Sequence, residues 1–387
     1  MAFPHINNIS KALSNPKNQK LYLSGTILLV LVAGFFATRI HVDFELEKLF
    51  PQNDPDLDFY GKIIDEKGYD NDFLLLTLHP SEYFFDPQFL TSASKLLKSI
   101  EDQKEVTFVA NPLSLPYLIK SPTGVISIPI LHVDQPNKYD SDSIRIVESE
   151  FHKQYFGDFL YLPVYIKHRH FFTDPDQSAR FYKSISTSLQ DSGLDFNLTG
   201  KLPAEREFRE LIKRDFLLYL VLSLGISVLI LLLLYRRAIF IFLPVLVGIF
   251  SLVIVFSIMA LLLFPISIMS VLLPPLLLFT STSDTIHLLN AVRRFGLENG
   301  IKKVIKPTFL TSITTALGFL SLLWINVEPV RQFGTAAAVG VLVAFFLTYS
   351  IVPFILHRGS SKSSANQKTI HFINPLRYKK RIGIIGS

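Results

Sequence analysis

The chain has 387 residues, of which 49% are hydrophobic and only 18% charged, a composition more apolar than that of typical soluble proteins. It contains no cysteine, which excludes disulfides, thiolate catalysis and cysteine-ligated metal. The net charge of +6 does not form a basic stripe interleaved with aromatic residues, so we expect no nucleic-acid partner.

Six segments are apolar and long enough to cross a hydrocarbon core of roughly 30 Å, which takes about 20 helical residues. They are 21–38, 216–234, 238–264, 266–290, 308–325 and 333–356. The sequence therefore predicts a polytopic α-helical membrane protein with six transmembrane helices. The predicted parts are a cytoplasmic N-terminus (1–20), transmembrane helix 1 (21–39), an extracytoplasmic domain (40–213), transmembrane helices 2–6 (214–358) and a C-terminal segment (359–387).

The short loops predict the orientation, because cytoplasmic loops are enriched in Lys and Arg. Cations cluster before the first segment, after the second, between the fourth and fifth, and after the sixth: Lys11, Lys17, Lys20, Arg236, Arg237, Arg293, Arg294, Lys302, Lys303, Lys306, Arg358 and Lys362. The loops on the opposite side carry only Arg331, balanced by Glu328. We therefore expect both termini in the cytoplasm, residues 40–213 outside, and a location in the bacterial inner membrane.

The large domain between the first two segments alternates strand-like and helix-like stretches. Predicted strands lie at 73–78, 106–109, 160–166 and 194–198, and predicted helices at 87–100, 141–155 and 175–190. Such units pack as an open sheet with helices on one face, and we expect an α+β ferredoxin-like sandwich. A charged stretch from Glu205 to Asp215 runs without a helix breaker into the second segment, which predicts one continuous helix there.

The C-terminal segment begins with a Ser-rich linker, 359–367. Beyond it, 374–386 repeats the plan of the N-terminus, an Asn-Pro pair followed by cations and then apolar residues. Internal duplication is common in transporters. We therefore expect a cytoplasmic linker and the start of a second repeat with a seventh span.

Asp284 is the one acid within a hydrophobic segment. A charge at the bilayer centre costs about 2.5–3.5 kcal/mol on insertion scales, so such residues usually face a protein interior and serve a function there. Helical spacing places Thr280, Asp284 and His287 on one stripe, and the fifth segment offers the hydroxyls of Thr311 and Thr315. These residues form a candidate proton relay. The alternative is that Asp284 only holds helices together through interhelical hydrogen bonds.

Two further observations concern the mechanism. Pro274 and Pro275, in the middle of the fourth segment, remove backbone donors and predict a hinge. The segments show no second cluster of metal ligands, and the sequence has no nucleotide-binding loop or common hydrolase motif. We therefore expect no metal, no cofactor and no enzyme activity.

The motifs of the later segments resemble a known family. They are Ser283-Asp284-Thr285-Ile286-His287-Leu288-Leu289 followed by Arg293-Arg294, then Lys306-Pro307-Thr308 and Thr311 to Phe319, and Arg331-Gln332-Phe333-Gly334. Together with the arrangement of one segment, a large domain and five segments, they are similar to one half of a resistance–nodulation–division (RND) transporter of the hydrophobe-exporting MMPL-like branch.

The resemblance implies a proton-driven exporter of lipids or other hydrophobic molecules, with Asp284 in the place of the family's proton-carrying acid. It also implies that 40–213 is a porter domain that receives cargo. The expected partners are this lipid or hydrophobic cargo and the membrane lipids. The expected protein partner is a second half of the same protein or a second copy. Two other functions stay open, a lipid- or sterol-sensing bundle that does not pump and a SecD/SecF-like accessory of protein translocation.

Overall fold

A computed structural model describes residues 6–44, 46–51, 54–67, 73–80, 85–114, 116–149, 160–166, 175–235 and 238–361. The chain divides into two compact units. The helical unit comprises Met1–Val42, Asp215–Ile325 and Pro329–Ser387, and the α/β unit comprises Asp43–Arg214 and Asn326–Glu328. The α/β unit is therefore inserted in sequence between two parts of the helical unit.

The described residues contain helices and strands in the following order along the chain. The α-helices are α1 (Ile6–Ser14), α2 (Pro16–Ala37), α3 (Pro55–Lys67), α4 (Pro87–Glu101), α5 (Tyr139–Glu148), α6 (Pro175–Asp191), α7 (Lys201–Leu234), α8 (Ala238–Leu261), α9 (Leu273–Phe295), α10 (Leu297–Leu320) and α11 (Glu328–Ser361). The strands are β1 (Phe73–His79), β2 (Val106–Val109), β3 (Pro116–Ser121), β4 (Gly124–Pro129), β5 (Leu160–Ile166) and β6 (Asp195–Gly200).

The α/β unit is built on a four-stranded sheet with the order β2-β5-β1-β6, in which every neighbouring pair is antiparallel. In the register of the sheet, Leu76 of β1 lies opposite Leu162 of β5 on one side and Leu198 of β6 on the other. Helix α4 connects β1 to β2, and helix α6 connects β5 to β6. The strands β3 and β4 form a separate hairpin.

Alternation of burial along β1 explains how this unit forms its core. Leu74, Leu76 and Leu78 are buried at every second position, as period-2 side-chain placement requires. They pack in one cluster with apolar residues of α4 and α6, which contact each other. Helix α4 begins where Asp86 accepts hydrogen bonds from two backbone N–H groups and Pro87 occupies the first turn.

Most predicted elements of this unit are confirmed. The strands predicted at 73–78, 106–109 and 160–166 are β1, β2 and β5, and the helices predicted at 87–100 and 175–190 are α4 and α6. The strand predicted at 194–198 is β6. The helix predicted at 141–155 is α5, but it ends at Glu148, because Ser149 has an extended backbone; residues 150–155 lie outside the described residues. The β3–β4 hairpin was not predicted, because its residues are mostly exposed and carry no alternation of burial.

The helical unit contains long apolar helices. Among the described residues, five helices are long and apolar enough to cross a membrane: Pro16–Ala37, Lys201–Leu234, Ala238–Leu261, Leu297–Trp324 and Glu328–Leu356. They coincide with five of the six predicted segments. Helix α7 runs unbroken from Lys201 to Leu234, which confirms the single helix predicted through Glu205–Asp215.

The segment predicted at 266–290 differs from the other five. Its N-terminal part is not helical, since Ile266 donates a backbone hydrogen bond to the His41 carbonyl and a 3-10 turn follows at Ser270–Leu272. The helix here is α9, Leu273–Phe295, with 23 residues. It is less apolar than the five because it carries the polar run 280–287 and Arg293-Arg294.

Pro274 and Pro275 lie in the first turn of α9, so their predicted placement in the middle of a helix is wrong, and the predicted hinge stays a prediction. The first turn tolerates proline because its backbone N–H groups have no intrahelical acceptor. Of the residues discussed from sequence, Arg236, Arg237, Lys362 and the predicted second repeat at 374–386 lie outside the described residues.

Candidate functional site

The Asp284 side chain is buried within the helical unit, with 6% of the residue exposed. It lies on α9, in the middle of the helix, and its closest partner in hydrogen bonding comes from α10. The Ser312 hydroxyl donates to Asp284 Oδ2 over 3.5 Å, and Ser312 itself is 1% exposed. At this length the hydrogen bond is weak. The carboxyl is therefore shielded from solvent but only loosely held.

Two further pairs of buried hydroxyls join α11 to α9 and to α10. The Thr285 and Thr348 hydroxyls lie 3.4 Å apart, and the Thr308 and Tyr349 hydroxyls lie 2.6 Å apart. Each of the four residues is less than 9% exposed. We call Thr285, Thr308, Ser312, Thr348 and Tyr349 the hydroxyl cluster.

The direction of two hydrogen bonds follows from the backbone contacts of the cluster. The Thr348 hydroxyl donates to the Ala344 carbonyl, and the Thr308 hydroxyl donates to the Val304 carbonyl. A hydroxyl has a single proton to donate. Thr285 is therefore the donor to Thr348, and Tyr349 is the donor to Thr308.

Thr308 and Ser312 are four residues apart on α10, so they share one face of the helix and both face the α9 and α11 side. Through Tyr349, Thr308 and Ser312, polar side chains extend from α11 along α10 to Asp284. Neutral hydroxyls both donate and accept, which is the property that proton transfer between neighbours requires. The two hydrogen-bonded pairs, Tyr349–Thr308 and Ser312–Asp284, lie one helical turn apart along α10.

The remaining residues predicted for the relay are placed elsewhere. His287 is exposed, whereas Asp284, three residues before it on α9, is buried. Thr280 is half-buried and donates to the Leu276 carbonyl of its own helix. Thr311 is exposed and donates to the Pro307 carbonyl, and Thr315 is half-buried.

The structure thus brings Asp284 together with Ser312 rather than with Thr311 or Thr315. The cause is the rotation of α10 about its axis, since adjacent helical residues point about 100° apart. The predicted residues, Thr311 and Thr315, were chosen without knowledge of which face of α10 turns toward Asp284. Thr308 was noticed in the sequence as part of a polar face, but no sequence signal distinguished Ser312, Thr348 and Tyr349 from other polar residues of the spans.

Glycines allow the helices around Asp284 to approach closely. A Cβ atom at Gly248 of α8 would lie 2.7 Å from Ser281 Oγ, and one at Gly340 of α11 would lie 2.5 Å from a Leu277 methyl group. Ser251 of α8 also donates to the Gly340 carbonyl over 3.2 Å. Helices α8, α9 and α11 therefore pack at short range and fix the position of the Asp284 helix.

Comparison with known proteins identifies the family. The model of the MMPL family matches residues 157–379, more than half of the chain. The chain belongs to the MMPL family. It is also similar to MJ1562 of Methanocaldococcus jannaschii, a protein whose name places it in a membrane. The two are 22% identical over 376 residues, which covers 91% of this chain and 94% of the relative.

Membership of the MMPL family makes the chain a membrane protein of the RND/MMPL transporter type. Asp284 and the whole hydroxyl cluster fall within the matched residues, as do α7 to α11. The family match thus includes the part of the helical unit in which the buried carboxyl lies.

Proposed function

We propose that this MMPL-family chain moves lipids or other hydrophobic molecules out of the membrane, driven by protons that bind and leave Asp284. The observation that carries the proposal is the carboxyl of Asp284, buried against Ser312 among helices of a transporter-family protein. His287, Thr280, Thr311 and Thr315 are not needed for this role. The hydroxyl cluster replaces them in the proposed relay.

Protonation of a buried carboxyl provides a physical basis for coupling. Binding a proton removes one unit of charge, and an uncompensated charge inside a bilayer costs about 2.5–3.5 kcal/mol on insertion scales. The helix packing favoured around a neutral Asp284 therefore differs from that around an ionised one. A proton that crosses 100 mV supplies about 2.3 kcal/mol, which is of the same order.

The proposed arrangement in the membrane has six spans, with α9 as the fourth. The five most apolar helices support it, and the Lys and Arg residues of the short loops support a cytoplasmic location for the termini. On this proposal, the chain lies in the cell membrane, which is the inner membrane if the host is a bacterium. Residues 40–213 then form an extracytoplasmic porter domain.

A ferredoxin-like fold is proposed for the porter domain. The sheet order and the helices between β1 and β2 and between β5 and β6 support a β-α-β-β-α-β plan, in which the β3–β4 hairpin and α5 are an insertion. A second copy of the chain, or a second half of the same protein, is the proposed partner in transport.

The test uses the full chain reconstituted in vesicles, with a fluorescent phospholipid as the probe of lipid movement and an imposed proton gradient as the drive. Asp284→Asn is expected to abolish the transfer that an uncoupler inhibits, while it leaves membrane insertion unchanged. Asp102→Asn is the matched control, because Asp102 is an exposed carboxyl of the α/β unit. Unchanged, uncoupler-sensitive transfer by Asp284→Asn would remove Asp284 from the mechanism.

The same assay distinguishes a lipid- or sterol-sensing bundle. Such a protein would bind the fluorescent phospholipid, but its transfer would not respond to the uncoupler in any variant. A SecD/SecF-like accessory would show no lipid transfer at all.

A further inference from the structure

A cavity of about 410 Å³ lies in the helical unit, away from the Asp284 carboxyl. Its walls come from α1, α2, α10 and α11. Ile9 and Leu13, one turn apart on α1, face Phe309 of α10 and Phe345 of α11 across it. Cavities that hold small molecules have about 300–1,000 Å³ and are mostly apolar, so both the size and the lining are those of a ligand site.

The lining determines the chemistry of the ligand. Most of it is aliphatic or aromatic, and its polar groups are those of Lys306 and Ser350 and the hydroxyls of Tyr22 and Tyr349. A ligand with many polar groups would leave them without hydrogen bonds in this cavity, at a large cost. An alkyl chain has no such groups and gains from burial. The cavity therefore suits a long hydrocarbon chain.

Lysines at the cavity indicate the charge of the ligand's head group. Lys306 is exposed and lines the cavity, and Lys302 is exposed one helical turn before it. Cations beside an apolar site attract a ligand with an anionic head. In a membrane, the abundant molecules with a hydrocarbon chain and an anionic head are acidic phospholipids, and basic residues at the cytoplasmic surface attract them.

The position of α1 also agrees with such a ligand. Helix α1 is short and amphipathic, and it packs against α10 at the lysine-rich end of that helix. Amphipathic helices of this kind lie at the boundary of head groups and acyl chains, with the apolar face inward. Here the apolar residues Ile9 and Leu13 line the cavity, so on the proposed topology α1 lies between the cavity and the cytoplasmic head groups.

From these observations we infer that the cavity binds one acyl chain of an acidic phospholipid, with the head group at Lys306. The site stands on the cavity itself and does not depend on proton-driven transport. Tyr349 belongs both to the cavity wall and to the hydroxyl cluster, where its hydroxyl donates to Thr308. A bound acyl chain would therefore contact a side chain that is hydrogen-bonded to Thr308, which lies one helical turn from Ser312, the partner of Asp284.

The test uses the full chain in phosphatidylcholine vesicles that contain phosphatidylglycerol with a photoreactive group on its acyl chain. After illumination, mass spectrometry is expected to locate the adducts on the cavity-lining residues of α1, α10 and α11. Leu13→Trp and Ile9→Trp each fill the cavity and are expected to reduce these adducts severalfold. Adducts spread evenly over the apolar helices and insensitive to both substitutions would overturn the site.

The proposed contact between Lys306 and an anionic head group is tested by removing the charge of the lysine. Lys306→Gln is expected to reduce labelling by the phosphatidylglycerol probe to the level of a phosphatidylcholine probe. Lys303→Gln is the matched control, because the Lys303 ammonium lies 3.4 Å from the ring centroid of Phe295 and does not line the cavity. Equal labelling of the unsubstituted protein by both probes would refute the anionic head group.

Two further measurements test the cavity: competition by unlabelled lipids, and labelling of the Asp284→Asn variant. Added phosphatidylglycerol is expected to compete with the photoreactive probe and lower its labelling. If a free fatty acid lowers the labelling and phosphatidylglycerol does not, the ligand is not a phospholipid. Asp284→Asn is expected to keep full labelling, since the site is independent of the proton role. Loss of transport with retained labelling would support both proposals separately.

Discussion

The pair formed by Asp284 and Ser312 is the smallest unit on which the proposed mechanism depends. The pair is buried, and its 3.5 Å separation leaves room for either group to move. A contact at the upper limit of hydrogen-bond length is weak, which suits a carboxyl that exchanges a proton.

Ser312→Ala tests this contact at the level of one hydroxyl. Removal of a hydrogen bond worth about 0.5–1.5 kcal/mol is expected to lower uncoupler-sensitive lipid transfer by about tenfold or less. Thr311→Ala removes the neighbouring hydroxyl, which is exposed and bonds within its own helix. Its transfer rate is expected to equal that of the unsubstituted protein. A larger loss in Thr311→Ala than in Ser312→Ala would contradict the placement of the relay.

Tyr349→Phe tests the bond between α10 and α11. The substitution keeps the ring in the cavity wall and removes the hydroxyl that lies 2.6 Å from Thr308. The free energy of unfolding is expected to fall by about 0.5–1.5 kcal/mol, the usual net contribution of one hydrogen bond. Thermal unfolding in detergent measures it. Tyr219→Phe is the control, because Tyr219 is 42% exposed on α7, and its midpoint should not change.

At the scale of elements, the packing of the long helices depends on a few small residues. Gly334 of α11 faces the end of α10, where an added Cβ would lie 2.7 Å from the Phe319 carbonyl oxygen and 2.8 Å from Leu322 Cβ. A carbonyl of the backbone cannot turn aside as a side-chain end can. By contrast, an added Cβ at Gly318 of α10 meets no atom within 4 Å.

The pair of substitutions Gly334→Ala and Gly318→Ala makes this difference measurable. Gly334→Ala is expected to lower the free energy of unfolding by about 1–3 kcal/mol, the range for overpacking a tight interior. Gly318→Ala is expected to be neutral or slightly stabilising, because alanine favours helix more than glycine does. Thermal unfolding of both variants in the same detergent provides the comparison. Equal effects of the two substitutions would contradict the close contact between Gly334 and the end of α10.

Helix α9 shows how much of an element a sequence can predict. Its existence followed from an apolar stretch, and its polar run at 280–287 marked it as the candidate functional helix. Its start was misplaced by seven residues, because 266–272 are as apolar as the helix but form a bridge and a turn instead. Hydropathy does not distinguish these conformations, whereas the first-turn preference of proline would have placed the start correctly.

At the scale of the whole molecule, the absence of cysteine from the sequence permits a direct test of the orientation. Thr123→Cys places one thiol in the exposed β3–β4 turn, and Asn299→Cys places one at the exposed start of α10. With a membrane-impermeant maleimide, Thr123→Cys is expected to react in intact cells. Asn299→Cys is expected to react only after permeabilisation. The reverse result would invert the proposed topology, because both positions follow from the distribution of Lys and Arg.

The sequence by itself determined the class of protein, the five most apolar spans and the main strands and helices of the α/β unit. These properties depend on composition and on local periodicity, which each segment carries independently of the rest of the chain. It also identified Asp284, since one acid in an apolar segment is evident without a structure.

Only the tertiary structure decided which residues meet Asp284 and where the apolar cavity forms. A helix that is apolar on all sides does not indicate which face it turns toward its neighbours. The choice of Ser312 over Thr311 depends on that rotation, and the cavity depends on residues that are up to 341 positions apart in the chain, from Ile9 to Ser350. Such contacts arise from the packing of α1, α10 and α11 together, and no single segment specifies them.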